Sequence, residues 1–367
     1  MKFALSSYLG CLLVCGTALA ADIKPEMERI RQEFKLPALG SVVFNAEGVL
    51  ALETVGVRKM GDETPATSKD KWHLGSITKS MTASLAAMLV NDGKIKWTTT
   101  LGEQFPGIHS DYSTVSLQEL LAHRGGLSHD GPEDVWKNFS KRSGSPQETR
   151  QWWVNQILHL PPQHTPGKYE YSNPGIATAG VQLETATGKA WEALMQERLF
   201  APLGLKDAGF GVTATKGTVD QPWGHTDKGT PIPPGPKADN PPGLGPAGTV
   251  HMSLTDLATY GRWHLTEGAS KPELLPSAKV KHLHTPAHPA ENGAAYEFGW
   301  MMLERSWAGG TAISHSGSNN MNFAIIWLAP KKKFGFAVTV NQGGDNASKG
   351  SDKLAGVIVQ RMGEFGK

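Results

Sequence analysis

Cysteine is almost missing from this sequence. The 367 residues include two, Cys11 and Cys15, and both lie in an apolar stretch near the N-terminus. That stretch runs from Phe3 to Ala20, follows Met1-Lys2 and closes on Ala18-Leu19-Ala20. A basic start, an apolar middle and a small-x-small end are the pattern of a secretory signal peptide, here cleaved near Ala20. Ser6, Ser7 and Gly10 interrupt the stretch and make it a poor membrane anchor. Tyr8 and Leu12 stand where a lipidation motif would need other residues. The exported chain, 21–367, then carries no cysteine, which excludes disulfides, a thiol nucleophile and thiolate metal sites. No second run is apolar enough to span a bilayer, so the expectation is a periplasmic protein with no membrane span in its mature form.

Excess charge is lacking too. Lys and Arg number 36 against 34 Asp and Glu, with no basic stripe and no acidic tail, so nucleic acid is not an expected partner. His282, His284 and His288 have no acid or cysteine at ligand spacing, and His-Glu-x-x-His does not occur. Neither a metal nor an organic cofactor is therefore expected. Gly243-Leu-Gly-Pro-Ala-Gly248 matches a dinucleotide-binding pattern, but it follows a proline-rich loop and contains Pro246. Gly-x-Ser-x-Gly is absent, so there is no nucleophile elbow.

What is present is a chain long enough for one large domain or two intimate ones, rich in loops (Gly 42, Pro 24). An amphipathic helix is predicted over Lys24–Phe34. Strands follow at Leu39–Phe44 and Val49–Val55, joined by the hairpin signal Asn45-Ala-Glu-Gly48. Ser76–Asn91 reads as a helix with Met81, Leu85, Met88 and Leu89 on one side and Gly93 past its end. Helices are expected at Val115–Ala122, Thr149–Leu158, Ile176–Thr187, Trp191–Phe200 and Leu254–Leu265, with 229–248 as loop. The C-terminal part returns to strands at Phe298–Leu303, Ala312–Ser316, Phe323–Leu328 and Phe334–Val340, with a turn at Pro330-Lys-Lys-Lys333. A last helix is placed at about Ser351–Met362. Strands at both ends and helices between suggest an α/β (α+β) fold with a helical insertion.

Three short elements could carry chemistry. In Ser76-Ile-Thr-Lys79 the hydroxyl and the amine lie one helical turn apart. A serine needs a base to take its proton, and a desolvated lysine can be one. The same spacing also suits an ordinary helix cap followed by a surface lysine. Tyr171-Ser172-Asn173 sits in a turn-rich loop. A tyrosine beside an ammonium can be held near the phenolate and exchange protons, and Asn173 can bind a carbonyl or hold Lys79. His315-Ser316-Gly317 lies on a predicted strand whose glycine lets substrate backbone approach. The N–H of Ser318 could join that of Ser76 as an oxyanion hole.

In this order, the three elements resemble those of the penicillin-recognising serine hydrolases, in the branch of class C β-lactamases, DD-carboxypeptidases, D-aminopeptidases and related esterases. Trp72-His-Leu-Gly75, Leu120-Leu-Ala-His-Arg-Gly-Gly-Leu127, Gly245-Pro-Ala-Gly248 with Ser253-Leu-Thr-Asp-Leu257, and Phe298-Gly-Trp300 add to the likeness. The resemblance implies a β-lactamase/transpeptidase-like fold, an antiparallel sheet flanked by helices plus an all-helical subdomain. The sheet part would take about 21–95 and 250–367, and the helical part about 96–249. It also implies an acyl-enzyme on Ser76, with Lys79 and Tyr171 moving protons and Asn173, His315, Ser316, Gly317 and Ser318 meeting the substrate. That substrate would be a small molecule or peptide with a scissile amide, ester or lactam. Class C β-lactamases have Lys-Thr-Gly where this chain has His315-Ser316-Gly317, and a histidine is mostly neutral at pH 7. D-amino-acid peptides or small esters are thus the expected substrates. A class C-like β-lactamase is the alternative, and a non-catalytic penicillin-binding sensor the second. Ser128–Pro146 and Val212–Pro242 are the expected pocket walls.

Overall fold

The computed structural model describes residues 22–290 and 293–366. The expected signal peptide at 1–20 lies outside them. Seven antiparallel strands form the main sheet: β1 (Ala38–Asn45), β2 (Val49–Gly56), β3 (Ala295–Glu297), β4 (Trp300–Arg305), β5 (Gly310–Ser318), β6 (Phe323–Ala329) and β7 (Phe334–Val340). Their spatial order is β2-β1-β7-β6-β5-β4-β3, so the N-terminal hairpin joins the C-terminal strands at β1–β7. The described chain is thus a mixed α/β structure built on a large antiparallel sheet.

Period-two alternation decides the two faces of the sheet. Val43, Phe336 and Val338 meet α1 (Lys24–Glu33) and α6 (Asp345–Gln360) through Met27, Ile30, Leu354 and Ile358. Val42, Phe44, Ala337 and Ile326 face the other way, into the core shared with α2 (Thr78–Asn91) and α5 (Leu254–Leu265). With both faces covered, β7 is buried at every residue.

Three predicted elements come out differently. The strand predicted from Phe298 is a hairpin, β3–β4, turning at Phe298 (φ 51°) and Gly299 (φ 76°). A Cβ on Gly299 would stand 2.4 Å from the Ser80 nitrogen, so this tight turn lets the hairpin rest on α2. The last helix begins at Asp345, six residues before the predicted start, because Gly350 packs on Leu36 and Phe34 instead of breaking it. Helix α2 has no polar face. Thr78, Lys79, Ser80, Thr82 and Ser84 are buried with the apolar residues, since the helix runs between the sheet and the helical segments. Its hydroxyls are satisfied locally: Ser80 donates to the Ile77 carbonyl at 2.8 Å and Thr82 to that of Pro246 at 2.7 Å.

Beyond α2, helices α3 (Pro146–Leu158) and α4 (Asn173–Thr187) are locked by a buried charge cluster. The Arg150 guanidinium bonds Glu184, and its Nη2 lies 3.0 Å from Glu192 Oε2. Removing one partner of a buried pair leaves an uncompensated charge. Arg150→Ala should therefore cost about 3–5 kcal/mol, read as a shift of the denaturant midpoint followed by circular dichroism. A loss under about 1 kcal/mol would mean that the cluster contributes little.

Candidate active site

From Trp72 to Leu89 every residue is buried except Ser76. The serine is not on α2 itself. It occupies a 3-10 turn, Gly75–Ile77, that leads into the helix, because Gly75 adopts φ +50°. Two walls hold this turn. A three-stranded sheet pairs Lys71–His73 with Val250–Ser253, and the Leu74 N–H donates to the Val250 carbonyl at 2.9 Å. The Val250 N–H in turn donates to Thr78 Oγ1 at 3.1 Å. On the other side strand β5 presses against the turn. A Cβ on Gly317 would lie 2.3 Å from the Ser76 nitrogen, and one on Gly75 would lie 2.3 Å from the Ser318 nitrogen. Two glycines therefore bring the Ser76 and Ser318 amides to one place.

Lys79 is fully buried and reaches three oxygens: Ser76 Oγ at 2.8 Å, Asn173 Oδ1 at 2.8 Å and the Ala247 carbonyl at 2.7 Å. Burial lowers its pKa to about 7, against the opposing pull of Asp130. Ala247 lies in 229–248, predicted as loop, whose end is instead a buried helical turn, Gly245–Gly248. Gly245-Pro-Ala-Gly248 was visible in the sequence, but nothing there pointed to a carbonyl partner for Lys79.

Tyr171, Ser172 and Asn173 enter from the start of α4. The loop is strapped down by backbone bonds. The Ser172 N–H donates to His123 Nδ1 at 3.1 Å, the Asn173 N–H to the His129 carbonyl at 2.9 Å, and Ser172 Oγ caps the helix on Gly175 N–H at 3.0 Å. The Tyr171 hydroxyl bonds Ser76, and Lys79 Nζ stands 4.9 Å from the centre of its ring. Burial pushes the phenol up, although the bond to Ser76 pulls the other way. The near-phenolate expected from the sequence is thus replaced by a neutral phenol, since desolvation opposes the charge. His123, 4.3 Å from the Tyr171 ring, is held well below its usual range by burial and by Lys79.

Ser76, Tyr171, Asn173, Ser316, Gly317 and Ser318 line one cleft of about 360 Å³. His315 does not line it. Strand alternation turns His315 under the floor, where Nε2 meets the Tyr296 hydroxyl at 3.1 Å and Nδ1 meets the Ser316 carbonyl at 2.6 Å. Burial first, and Lys79 second, lower its pKa to about 3. Of the expected walls, His129, Asp130, Trp136 and Asn240 reach the cleft. The sequence did not single out Asp130 or His129. His73, quoted only as part of a supporting segment, accepts from the Gly75 N–H at 3.1 Å and places Nε2 2.8 Å from Asp239 Oδ1. Of the three histidines set aside as metal ligands, His282 packs at a tilt against Trp97 and Phe298, His284 meets His264, and His288 pairs with Glu297. Among the described residues no three His, Cys, Asp or Glu side chains stand where they could share a metal ion.

The arrangement is a serine hydroxyl between a near-neutral buried amine and a phenol, with two backbone N–H groups beside it. The chain is similar to known proteins over most of its length. The chain is 25% identical over 342 residues to penicillin-binding protein 4 of Amycolatopsis lactamdurans, covering 88% of this chain and 85% of that protein. It is 24% identical over 356 residues to a β-lactamase of Pseudomonas fluorescens, covering 94% and 93%. The crystal structure of D-alanine carboxypeptidase AmpC from Burkholderia cenocepacia shares the fold, with a TM-score of 0.73 at 18% identity, covering 91% of this chain and 97% of that one. The Beta-lactamase family profile matches residues 26–360. The chain therefore belongs to the Beta-lactamase family and is an enzyme of its serine hydrolase class.

Proposed function

We propose that the enzyme hydrolyses D-amino-acid peptides, their amides or small esters through an acyl-Ser76 intermediate. The 2.8 Å contact between Ser76 Oγ and the buried, near-neutral Lys79 carries this reading. A neutral amine has two N–H bonds, for Asn173 Oδ1 and the Ala247 carbonyl, and one lone pair for the Ser76 hydroxyl. Lys79 takes the serine proton as Oγ bonds to the substrate carbonyl carbon. The Ser76 and Ser318 N–H groups stabilise the oxyanion. The bond to the leaving group then breaks, and that group receives a proton through the Tyr171 hydroxyl. Water attacks the acyl carbon, the Ser76 ester breaks, and the acid leaves.

Asn173 is committed at both ends, to Lys79 Nζ through Oδ1 and to Asp130 through Nδ2. Its part is to hold the base. Ser316, Gly317 and Ser318 form the edge along which the substrate lies, and His315 supports that edge from below. The neutrality of His315 favours peptides and esters over β-lactams, because the strand offers no fixed cation for a lactam carboxylate. The family also contains β-lactamases, so β-lactam hydrolysis is the second reading. A sheet part, 21–95 and 250–367, and a helical part, 96–249, enclose the cleft. We place the protein in the periplasm, exported by the segment 1–20. Among the described residues no helix is long and apolar enough to cross a membrane.

The test compares the purified protein with Ser76→Ala and Lys79→Ala on p-nitrophenyl butyrate, a D-alanyl anilide and a chromogenic cephalosporin. Ser76→Ala should abolish turnover, and Lys79→Ala should lower it by about 10²–10⁴. Turnover that survives in Ser76→Ala would refute the acyl-enzyme, and a cephalosporin consumed far faster than the others would favour the second reading. With Lys79 as base, kcat/KM for the uncharged ester should rise with pH through about 7, because only the unprotonated amine accepts the serine proton. A profile flat between about pH 6 and 9 would remove Lys79 from that role. Gly317→Ala should drive β5 away from the turn and lower kcat by about 10²–10³ with little change in fold, as loss of one oxyanion donor does. Stopped-flow acylation with unchanged circular dichroism would show it.

A further inference from the structure

The proton transfers above make no use of Asp130, yet it is the acidic side chain lining the cleft. Asn173 Nδ2 donates to its Oδ1 at 2.9 Å, one side chain away from the Lys79 amine that faces Ser76. Three hydrogen bonds and one amide width limit the span from Asp130 Oδ1 to Ser76 Oγ to about 11 Å. An amine on the neighbouring residue or on the leaving group reaches across that limit, and an α-amine on the reacting residue does so where the span is about 8 Å or less.

The charge around it comes from this carboxylate and one exposed imidazole, His129. No lysine or arginine lines the cleft. Lys79 is buried beneath it with a pKa of about 7, and His315 is neutral. Burial pushes the Asp130 carboxyl up, but the bonds from His129 and Asn173 outweigh it and hold the group below its usual range. Asp130 is therefore an anion wherever the enzyme works. His129 Nδ1 lies 2.9 Å from Asp130 Oδ2, but its side chain is 63% exposed, so this pair is solvent-screened and a ligand can displace it. The Asp130 side chain is itself 41% exposed, and so open to substrate.

Asp130 raises the pKa of His129, so the exposed imidazole is its resting counter-charge; a substrate ammonium that displaces this exposed partner takes over the pairing, while a substrate carboxylate meets no lysine or arginine. We propose that Asp130 is a specificity-determining residue, and that the preferred substrates carry a positively charged amine that binds its carboxylate. The inference rests on the acyl-Ser76 reading and names the substrate class of that site.

The decisive measurement is a ratio of kcat/KM values at pH 7. D-alanyl p-nitroanilide, with a free amine, is compared with its N-acetyl form. Acetylcholine is compared with its uncharged isostere 3,3-dimethylbutyl acetate, which puts the cation on the leaving group. The native enzyme should favour the charged member of at least one pair by about tenfold or more. Which pair shows it tells whether the amine belongs to the acyl or the leaving part. Asp130→Asn keeps an oxygen for Asn173 Nδ2 but removes the charge, and should bring that ratio close to one. Asp130→Glu should restore most of it. An equal loss on charged and uncharged members, with the ratio unchanged, would make Asp130 only a support for Asn173 and overturn the proposal. So would a native ratio near one in both pairs. Ser76-dependent turnover of p-nitrophenyl butyrate, measured alongside, tests the acyl-enzyme separately. If it persists while the ratios are flat, the amine preference fails alone.

Discussion

The site depends on one desolvated amine. Lys79 is the second residue of α2, a helix buried on every side, and is itself fully buried. Three oxygens replace the solvent, one each from the serine turn, the first residue of α4 and the Gly245–Gly248 turn. Three segments far apart in sequence are thereby tied to one nitrogen. Because burial penalises the ammonium more than the charge of Asp130 favours it, the amine is poised near pH 7 and not at its solution value. A lysine at the same spacing on an exposed helix would have the same neighbours in sequence and none of this chemistry.

Contact between the serine turn and β5 is the second constraint, and it is steric. The Ser76 and Ser318 nitrogens come together because neither Gly75 nor Gly317 has a Cβ to separate the two backbones. Gly75 also holds φ +50°, which a side chain would strain. The sheet therefore contributes to the site through its rigidity. Strand β5 is held in register by β6, with His315 opposite Ile326 and Ser318 opposite Phe323. Its inward ring, His315, is pinned at both nitrogens. Any looseness there would be felt directly at the paired amides.

Much of this was legible in the residues. Alternating apolar runs marked β1, β2, β6 and β7, and Ser76, Lys79, Tyr171 and Asn173 meet in space as their motifs implied. What was missed has a common cause. A backbone carbonyl such as that of Ala247 leaves no side-chain signature, and its segment read as loop because it holds Gly245, Pro246 and Gly248. Asp130 belongs to no motif, and only the fold places it against Asn173. Which way the His315 ring points depends on strand register, and a one-residue slip would reverse it. Helix α2 was read with its apolar residues on one side, yet Thr78, Ser80, Thr82 and Ser84 are buried as well. The hydroxyls of Ser80, Thr82 and Ser84 are bonded to backbone carbonyls.

Burial also decides how one proton is shared between Lys79 and Tyr171. Ammonium with phenolate, and amine with phenol, hold the same number of protons and the same net charge. The first pair places one charge on the fully buried Lys79 and the other on the largely desolvated Tyr171. The ring of Tyr171 lies 4.9 Å from Nζ, close enough for attraction, but isolated charges removed from water cost more than such a contact returns. Burial lowers the amine and raises the phenol, so both shifts favour the neutral pair. Above about pH 7, where Lys79 is unprotonated, the resting site holds a base with a free lone pair and an acid with its proton, both on Ser76. On the proposed mechanism Lys79 alone must lose a proton first, and only below that pH. The oxyanion that develops during acylation forms beside the Ser76 and Ser318 N–H groups, and the ammonium forms where the Asn173 and Ala247 oxygens already face Lys79.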